Sequence, residues 1–579
     1  MPRPVDVISR LFPYGTNVHA KGSCNQFPRW PPDLFAAAAK LISLAECYCR
    51  PRYTCGHDDD AHFSSEREMS GLAEIAEKLA SFENLDGGSR PIRRVQSLWQ
   101  TLLNPKCGDV TDDTHPLTTS WWDAAMKLLI IADSASSGVG FVNPDPEETP
   151  LADFVLNQMM LNMDDLNEHL PYLPVSICRL VPPEEACVQP KTRTSQNGCT
   201  IRSLTHHLAL LPSAGEVVTS WLYGMSYERL KENYAQPLNL LVVPFPYRID
   251  GKSFLAGRRC MSVSTGIDER EKRRWQFFDV QQRWLQDGKN ALTAKQLTDF
   301  LLQLLERAEH EVGCIDGIVL PELALDERRA KLIVGTLARK KPTMQIFISG
   351  IATRPTKDEP LPKNCAFASL LSDSKVLTSW KQSKHHRWKL DHDQICRYHL
   401  GDRLRPSDIW WEHINIEERQ CAFWVIRPGM SVVALVCEDL ARIDPVQTVI
   451  RSIGPNLVIA LLMDGPQLER RWSGRYATVL ADDPGSAVLT VTSLGMIKRS
   501  VMPGENEPRQ IALWKGPNGP TRELSLPKNA HALLLTLSVT EETNFTFDGR
   551  SDGGATFGLD LAGVRPIRAG APPDWAEVD

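Results

Sequence analysis

No stretch of the sequence is both long enough and apolar enough to cross a membrane as a helix. No run approaches the roughly 18 consecutive apolar residues that such a helix needs. The opening residues, MPRPVDVISRLFPYG, lack the long apolar core of a secretory signal peptide. We therefore expect a cytoplasmic protein with no membrane contact.

The sequence also lacks a charge bias, a cysteine framework and internal repeats. Its formal net charge is −6, so no overall basic excess points to nucleic acid as a partner. The 14 cysteines are scattered without the spacing of a disulfide-rich domain, which indicates reduced thiols. With 42% apolar and 23% charged residues, the composition is that of an ordinary globular protein.

The chain has 579 residues, too many for one compact core, and its pattern changes near residue 236. Residues 1–235 contain helix-like segments at 71–82, 93–103 and 120–131, separated by proline-rich and polar loops. Strand patterns are few there. We expect a mainly α-helical region of unknown role, available to bind a protein or a nucleic acid.

From residue 236 the pattern predicts an α/β fold. Short apolar runs alternate with helix-like segments, which is typical of strands buried on both faces of a layered sheet. The predicted strands are residues 238–243, 317–322, 345–352, 366–371, 431–436, 456–463, 486–492 and 533–539, and the predicted helices are 294–311, 445–453 and 468–480. This domain spans residues 236–545. The glycine- and proline-rich residues 546–579 indicate an extended C-terminal tail.

Three side chains with useful chemistry lie at or near predicted strand ends: Glu322, Lys384 and Cys437. Catalytic residues of α/β sheets gather at the carboxyl ends of strands, so these three can converge. A carboxylate can deprotonate the thiol, and the thiolate can attack an sp² or sp carbon, while the lysine stabilises the oxyanion. A cysteine at the end of an apolar strand is more often a buried thiol, and only the set of three favours a nucleophile.

The segments around these residues resemble the carbon–nitrogen hydrolase, or nitrilase, superfamily. They are VLPELAL around Glu322, KQSKHHRW around Lys384 and ALVCEDLAR around Cys437, and they occur in the family's order. The C-E-D sequence is similar to that of the glutamine-amidase branch. The resemblance covers residues 236–545 and continues through GPNLVIALL, a helix with Trp472 and Arg475, VTSLG and LWKGPNGPTRELSL.

The resemblance implies an αββα sandwich that dimerises sandwich against sandwich, a Glu322–Lys384–Cys437 triad, and no metal or organic cofactor. It implies hydrolysis of a non-peptide C–N bond through a thioester intermediate, with a small-molecule amide favoured over a nitrile as substrate. Lys384 is preferred to the neighbouring lysines because His386 follows at the family's K-x-H spacing. The candidates for the substrate pocket are Gln394, Glu438, Trp472 and Arg475.

One position departs from the family's pattern. Many members carry a second glutamate about seven residues before a glycine, and counting back from Gly401 gives Gln394. A glutamine cannot take a proton as a base, although its amide can still bond the lysine or the substrate. Asp391 or Asp393 would replace the missing carboxylate after a small shift. This departure bears on the substrate class more than on the fold.

Two short motifs have weaker chemical interpretations. Cys47, Cys49, Cys55 and His57 are close enough in sequence to bind Zn²⁺, but their spacing is not that of a zinc finger, and reduced thiols are favoured. The segment VLADDPGSAVLTV, residues 479–491, has the Asp-Asp pair of a polymerase metal-binding hairpin, but a strand of the hydrolase fold explains it better.

A basic segment at residues 189–212 offers a third possibility. Lys191, Arg193 and Arg202 could bind an anion or a phosphate at the start of a helix over 202–211, which would carry His206 and His207. A solvated loop followed by a packed helix is the favoured interpretation. A nucleic-acid contact here has no support from the net charge.

A second hypothesis treats the protein as a binding or scaffold component of a bacterial antiviral or regulatory assembly. The hydrolase fold would then be catalytically idle. Members of the family that the chain resembles occur beside reverse transcriptases, so a separate reverse transcriptase or other nucleic-acid enzyme is a candidate partner. The two hypotheses differ in whether turnover depends on Cys437.

Overall fold

The computed structural model describes residues 2–17, 22–46, 66–81, 89–107, 120–139, 175–213, 216–223, 236–257, 275–288, 290–427, 429–501, 507–554 and 556–578. Within these ranges every helix is too short or too polar to span a bilayer. Cys47, Cys49, Cys55 and His57, for which reduced thiols were favoured over zinc ligands, lie outside the described residues.

The helices and strands are numbered in chain order. The helices are α1 Pro4–Leu11, α2 Pro31–Ala45, α3 Glu66–Ala80, α4 Arg90–Leu102, α5 Ser120–Ser134, α6 Ala294–Val312, α7 Glu327–Lys340, α8 His392–Arg397, α9 Thr448–Ile453, α10 Trp472–Asp482 and α11 Leu494–Arg499. The strands are β1 Cys187–Pro190, β2 Leu208–Leu211, β3 Val218–Tyr223, β4 Leu238–Val242, β5 Phe254–Ala256, β6 Trp275–Val280, β7 Gln286–Asp287, β8 Asn290–Ala291, β9 Gly317–Asp326, β10 Ile346–Ala352, β11 Asn364–Ser372, β12 Lys375–Ser383, β13 Lys389–Leu390, β14 Ile409–Glu412, β15 Gln420–Arg427, β16 Met430–Val436, β17 Leu457–Leu462, β18 Ala487–Thr492, β19 Gln510–Lys515, β20 Arg522–Ser525, β21 Ala532–Glu542 and β22 Thr556–Ile567.

Two seven-stranded sheets form the centre of the molecule. Their strand orders are β12-β11-β10-β9-β4-β21-β22 and β20-β19-β18-β17-β16-β15-β3. In each sheet the central strands are parallel, β4 with β9 and β10 in the first and β16 with β17 and β18 in the second. The sheets face each other, since β9 contacts β17 and β18, and β11 contacts β16. Helices α6 and α7 cover the outside of the first sheet and α10 covers the second, so the predicted αββα sandwich is confirmed.

The central strands are apolar along their whole length because both faces are covered. Every residue of β9, β16, β17 and β18 is buried, including the LVIALL sequence of β17. Strands without a solvent face gain no benefit from alternating polar residues. This explains why the continuous apolar runs predicted these strands correctly.

The described residues of the N-terminal region include the helices α1–α5, and the three predicted helical segments there are confirmed as α3, α4 and α5. Helix α5 packs against α2, α3 and α4. Two buried aspartates connect this bundle to later segments. Asp33 accepts the backbone N–H groups of residues 179–181, and Asp133 accepts those of residues 206–208.

The helix expected over residues 202–211 is wrong. A short 3₁₀ turn, Ile201–Leu204, is followed by strand β2, which pairs antiparallel with β1. The carboxylate of Asp133 takes the N–H groups of His206, His207 and Leu208, which a helix would need for its own ladder. The sequence pattern gave no sign of this distant acceptor.

The favoured solvated loop before that segment is also wrong. Lys191 and Arg193 are buried, at 1% and 5% exposure. Lys191 donates to the carbonyls of Arg202 and Thr205, and Arg193 forms an ion pair with Glu542 at 2.5 Å and donates to the carbonyl of Phe557. These cations hold the chain together instead of meeting an external anion.

Two further boundaries differ from the sequence prediction. Strand β3, placed in the N-terminal region by sequence, joins the edge of the second sheet by pairing parallel with β15. Residues 556–567 form strand β22, paired along β21, where an extended tail was expected. Phe557, Leu559 and Leu561 alternate along β22 and are buried, but flanking glycines and prolines obscured that alternation.

Candidate functional site

Cys437 is the first residue after β16 and begins the 3₁₀ turn Cys437–Leu440. It is 3% exposed, and its φ of +48° lies in the left-handed region that favours glycine. A non-glycine residue held there costs on the order of 1–3 kcal/mol, which the surrounding structure must offset. The turn places the thiol at the carboxyl end of the parallel strands β16 and β17.

Glu322 and Lys384 come from the facing sheet. Glu322 lies on β9, and Lys384 follows the last residue of β12. Their side chains are fully buried, and Lys384 Nζ lies 2.9 Å from Glu322 Oε1. Asn364 Nδ2 donates to the same oxygen at 2.7 Å. The other oxygen, Glu322 Oε2, is buried and has no hydrogen-bond partner among the described residues, so it can accept a proton.

A second carboxylate, Glu412 at the end of β14, completes this group. Its Oε2 lies 2.8 Å from Lys384 Nζ and accepts from the backbone N–H of Trp388 at 3.1 Å. Its Oε1 accepts from Asn364 Nδ2 at 2.8 Å. Lys384 therefore bridges two buried glutamates, and the two carboxylates that could bind a cation are already bonded to its ammonium.

Glu412 was not among the residues predicted from sequence, where the position of a second glutamate was assigned to Gln394. Gln394 lies on α8, where its backbone N–H donates to Asp391. Lys384 Nζ donates instead to Glu322 and Glu412. The sequence signal that could have identified Glu412 is a carboxylate within the short aromatic segment IWWEH. Strand β14 follows Gly401 and is separated from it by a loop, so a count backward from Gly401 could not reach Glu412.

The charges of this group act on the thiol. Burial raises the pKa of Cys437 well above its usual value, Glu322 raises it further, and Lys384 acts in the opposite direction. Burial likewise raises the pKa of Glu322 against the effect of Lys384. Burial disfavours the charged form of Lys384, but the two glutamates outweigh it and its net pKa is well above the usual value. The raised pKa disfavours the thiolate, so a base that takes the proton would assist attack by the sulfur.

Asp439, the third residue of the C-E-D sequence, positions the lysine loop. It is fully buried and accepts the backbone N–H of His385 at 3.1 Å and pairs with His386 Nδ1 at 3.0 Å. Burial alone would raise its pKa, but His385 and these hydrogen bonds lower the pKa of Asp439 to about 2. Asp439 therefore fixes the two residues that follow Lys384.

The remaining pocket candidates lie around the carboxyl end of β17. Asp464 accepts Arg471 Nη2 at 2.6 Å and Trp472 Nε1 at 3.0 Å, and its charge also raises the pKa of Cys437. Arg475 is exposed on α10 and, with Trp472, lines an open cleft. Glu438 is half-buried and forms an ion pair with Arg442 at 2.9 Å.

Asp482 and Asp483, the pair that resembles a polymerase metal-binding hairpin in sequence, have a structural role. Asp482 ends α10, and Asp483 pairs with Arg202 at 3.5 Å and with Arg451 at 3.4 Å. Ser195 Oγ also donates to Asp483 at 2.7 Å. A helix and a strand flank the pair, so these residues do not form a β-hairpin.

Comparisons with known proteins return structures but no sequence relatives. One similar solved structure is Saccharomyces cerevisiae Nit3, a member of branch 10 of the nitrilase superfamily, with 12% identity and a TM-score of 0.29 over 50% of this chain and 86% of that chain. An amidase from Nesterenkonia sp. has 12% identity and a TM-score of 0.31 over 53% of this chain and 92% of that chain. A carbon–nitrogen hydrolase from Helicobacter pylori G27 has 12% identity and a TM-score of 0.29 over 50% of this chain and 85% of that chain. No family model and no curated protein matches the sequence.

Proposed function

We propose that residues 236–545 form a cytoplasmic carbon–nitrogen hydrolase that cleaves a non-peptide C–N bond, an amide in preference to a nitrile. The observation that supports this most is the buried group of Glu322, Lys384 and Glu412 next to a buried thiol held at positive φ. Burying one ammonium and two carboxylates carries a large desolvation cost, which a purely structural role does not require. Perturbed, coupled groups of this kind are typical of catalytic sites.

In the first half-reaction Glu322 accepts the proton of the Cys437 thiol and the thiolate attacks the amide carbon. Negative charge develops on the amide oxygen, which Lys384 and the backbone N–H of Glu438 stabilise. Collapse of this intermediate breaks the C–N bond. The amine leaves with the proton that Glu322 returns, and a thioester to Cys437 remains.

In the second half-reaction water hydrolyses the thioester. Glu322 takes a proton from the water, the resulting hydroxide attacks the thioester carbon, and Cys437 leaves as the thiol when the proton is returned. Glu412 stays bonded to Lys384 throughout and holds the ammonium in place. The C-E-D sequence at Cys437 supports an amide substrate, since the resemblance there is to the glutamine-amidase branch.

The test compares the wild type with Cys437→Ala in a metabolite extract, followed by mass spectrometry. We expect amides that release their amine or ammonia with the wild type and not with Cys437→Ala. The matched control is Cys421→Ala, since Cys421 is also a buried thiol and burial raises its pKa. Equal metabolite profiles for the wild type and Cys437→Ala would refute the hydrolase and favour the idle binding fold.

Alkylation supplies a test that needs no substrate. Iodoacetamide should modify Cys437 faster than the equally buried thiol of Cys421, because Glu322 can take the proton of Cys437 as the sulfur attacks. Glu322→Gln should slow the reaction at Cys437 by about 100-fold because the base is lost. Peptide mass spectrometry reads each site separately. A rate at Cys437 that Glu322→Gln leaves unchanged would contradict the assigned base.

A further inference from the structure

An open cleft of about 370 Å³ lies between α8 and α10, beside the site. Its lining residues are Arg397, Leu468, Arg470, Arg471, Trp472 and Arg475. Four of these six side chains are arginines, and the lining includes no acidic residue. Such a concentration of one charge stands out on a chain whose net charge is −6.

Three of the four guanidinium groups are available to a ligand. Arg471 is committed to Asp464 at 2.6 Å. Arg397, Arg470 and Arg475 are exposed, and within the described parts of the chain none of them forms an ion pair with a carboxylate. Like charges that share a cleft repel one another, and a bound anion would relieve that repulsion. Arginine also binds carboxylate and phosphate oxygens in a bidentate manner.

The start of α10 adds a second source of positive potential. The helix begins at Trp472, its N-cap Arg471 makes no side-chain capping bond, and its first turn contains no acidic residue. The residues of α10 itself therefore do not compensate the positive end of the helix dipole, and the carboxylate near this end, Asp464, is already bonded to Arg471 and Trp472.

The cleft is coupled to Cys437 through one residue. Asp464 follows β17, whose Leu461 is paired with Val436, the residue before Cys437. Asp464 influences the thiol electrostatically and also binds Arg471 and Trp472 in the cleft wall. One buried carboxylate thus lies close to both the thiol and the cleft wall, where Leu468 and Trp472 offer apolar surface to the carbon atoms of a ligand.

We propose that this arginine cleft binds an anionic group, a phosphate or a carboxylate, on the small molecule whose amide Cys437 attacks. This inference rests on the proposed function, since it names the substrate class of the same site. It predicts that the enzyme prefers amides with a negatively charged end to neutral amides of the same length.

Binding is tested first, without turnover, by calorimetry with inorganic pyrophosphate and with succinate at low salt. The variant is Arg397→Gln/Arg475→Gln, and the control is Arg354→Gln/Arg568→Gln, which removes two exposed arginines elsewhere. We expect the cleft variant to bind at least one probe about tenfold more weakly than the wild type, because two charge-assisted contacts are lost, while the control matches the wild type. Pyrophosphate binding alone identifies a phosphate ligand, and succinate binding alone identifies a carboxylate.

Turnover is tested with amides of equal length that end in a methyl, a carboxylate or a phosphate group. The readout is the ratio of kcat/KM for the anionic amide to that for the neutral amide. We expect the wild type and the control to favour an anionic amide by at least about tenfold, and the cleft variant to lose most of that preference.

The outcomes separate this inference from the proposed function. Turnover that depends on Cys437 but shows no preference for anionic amides, together with no binding of either probe, refutes the arginine cleft as a substrate site. Arginine-dependent binding of a single-stranded oligonucleotide but of neither small probe refutes it as well. Arginine-dependent probe binding without any Cys437-dependent turnover refutes the hydrolase and leaves the anion site standing.

Discussion

Replacing Lys384 with methionine leaves two buried carboxylates facing each other without the cation that joins them. Methionine keeps the length and the apolar stem of lysine, so the change mainly removes charge. The Lys384 side chain is 0% exposed, and those of Glu322 and Glu412 are 1% and 3% exposed, so water cannot replace the ammonium.

The magnitude follows from this geometry. Each carboxylate lies within hydrogen-bond distance of Nζ, at 2.9 and 2.8 Å. The two acidic oxygens are therefore within about 6 Å of each other, where like charges repel by about 3 kcal/mol at an effective dielectric constant near 20. Removing one partner of a buried ion pair typically costs about 3–5 kcal/mol. We expect Lys384→Met to lower the free energy of unfolding by about 3–5 kcal/mol at pH 8.

The loss should shrink as the pH falls. Burial already raises the pKa of Glu322, and Lys384 is the group that lowers it, so the substitution raises the pKa of Glu322 further. A carboxyl whose folded pKa is above its unfolded value destabilises the fold above that folded pKa, and protonation relieves the cost. Lys384→Met should therefore be closer to the wild type at pH 5.5 than at pH 8.

The measurement is urea denaturation followed by tryptophan fluorescence at both pH values. The control is Lys331→Met, since Lys331 on α7 is 59% exposed and pairs with Glu327 at 2.9 Å. Exposed pairs of this kind contribute less than about 0.5 kcal/mol. The reasoning is refuted if Lys384→Met costs no more than Lys331→Met, or if its deficit grows as the pH falls.

Three further predictions concern the surroundings of the site. A Cβ on Gly350 would lie 2.3 Å from Glu322 Cα, so Gly350→Ala should abolish turnover and lower the free energy of unfolding in urea by about 1–3 kcal/mol. The control is Gly335→Ala, which should be neutral or stabilising because the nearest atom to its Cβ would be 3.8 Å away. Equal effects of the two substitutions would contradict the close packing at Gly350. Asp439→Asn should cost about 2 kcal/mol at pH 7, because the pKa of Asp439 is lowered to about 2. The difference from the wild type should begin to shrink as the pH falls below about 4 and should vanish only near pH 2, and a pH-independent difference would contradict the ionic origin. We expect the protein to dimerise through its sandwich, and Ile443, which is 70% exposed, to lie in the interface. Ile443→Asp should then shift the sedimenting species from dimer to monomer. A wild type that is monomeric at all concentrations would contradict the expected dimer.

The sequence pattern was sufficient to propose the candidate residues at or near predicted strand ends, although β9 continues past Glu322 to Asp326. Glu322 and Cys437 follow from apolar runs that terminate in a reactive side chain, and Lys384 lies just beyond such a strand. Local pattern was sufficient there because a strand buried on both faces has a simple sequence signature. The same signature predicted a layered α/β fold, whereas the αββα layer order was implied by the resemblance to the nitrilase superfamily.

Contacts between distant segments were beyond reach. Glu412 occupies a short strand of a separate four-stranded sheet, where β14 pairs with β6 across more than a hundred residues. Arg397 meets Arg475 only because α8 and α10 face one cleft. The helix expected over residues 202–211 failed for the same reason, since the competing acceptor, Asp133, belongs to α5.

Strand β3 gives the N-terminal region a structural role, since it completes the edge of the second sheet whether or not the region binds a partner. β3 covers the edge of β15, and Trp221 stacks on Phe423 with ring centroids 5.1 Å apart. A chain cut at residue 236 would leave one edge of β15 unpaired, while the other edge stays paired with β16, and exposed edges of this kind recruit strands from other molecules. Strand β3 therefore shields this edge of the second sheet, and we expect a chain that begins at residue 236 to aggregate more readily than the full chain.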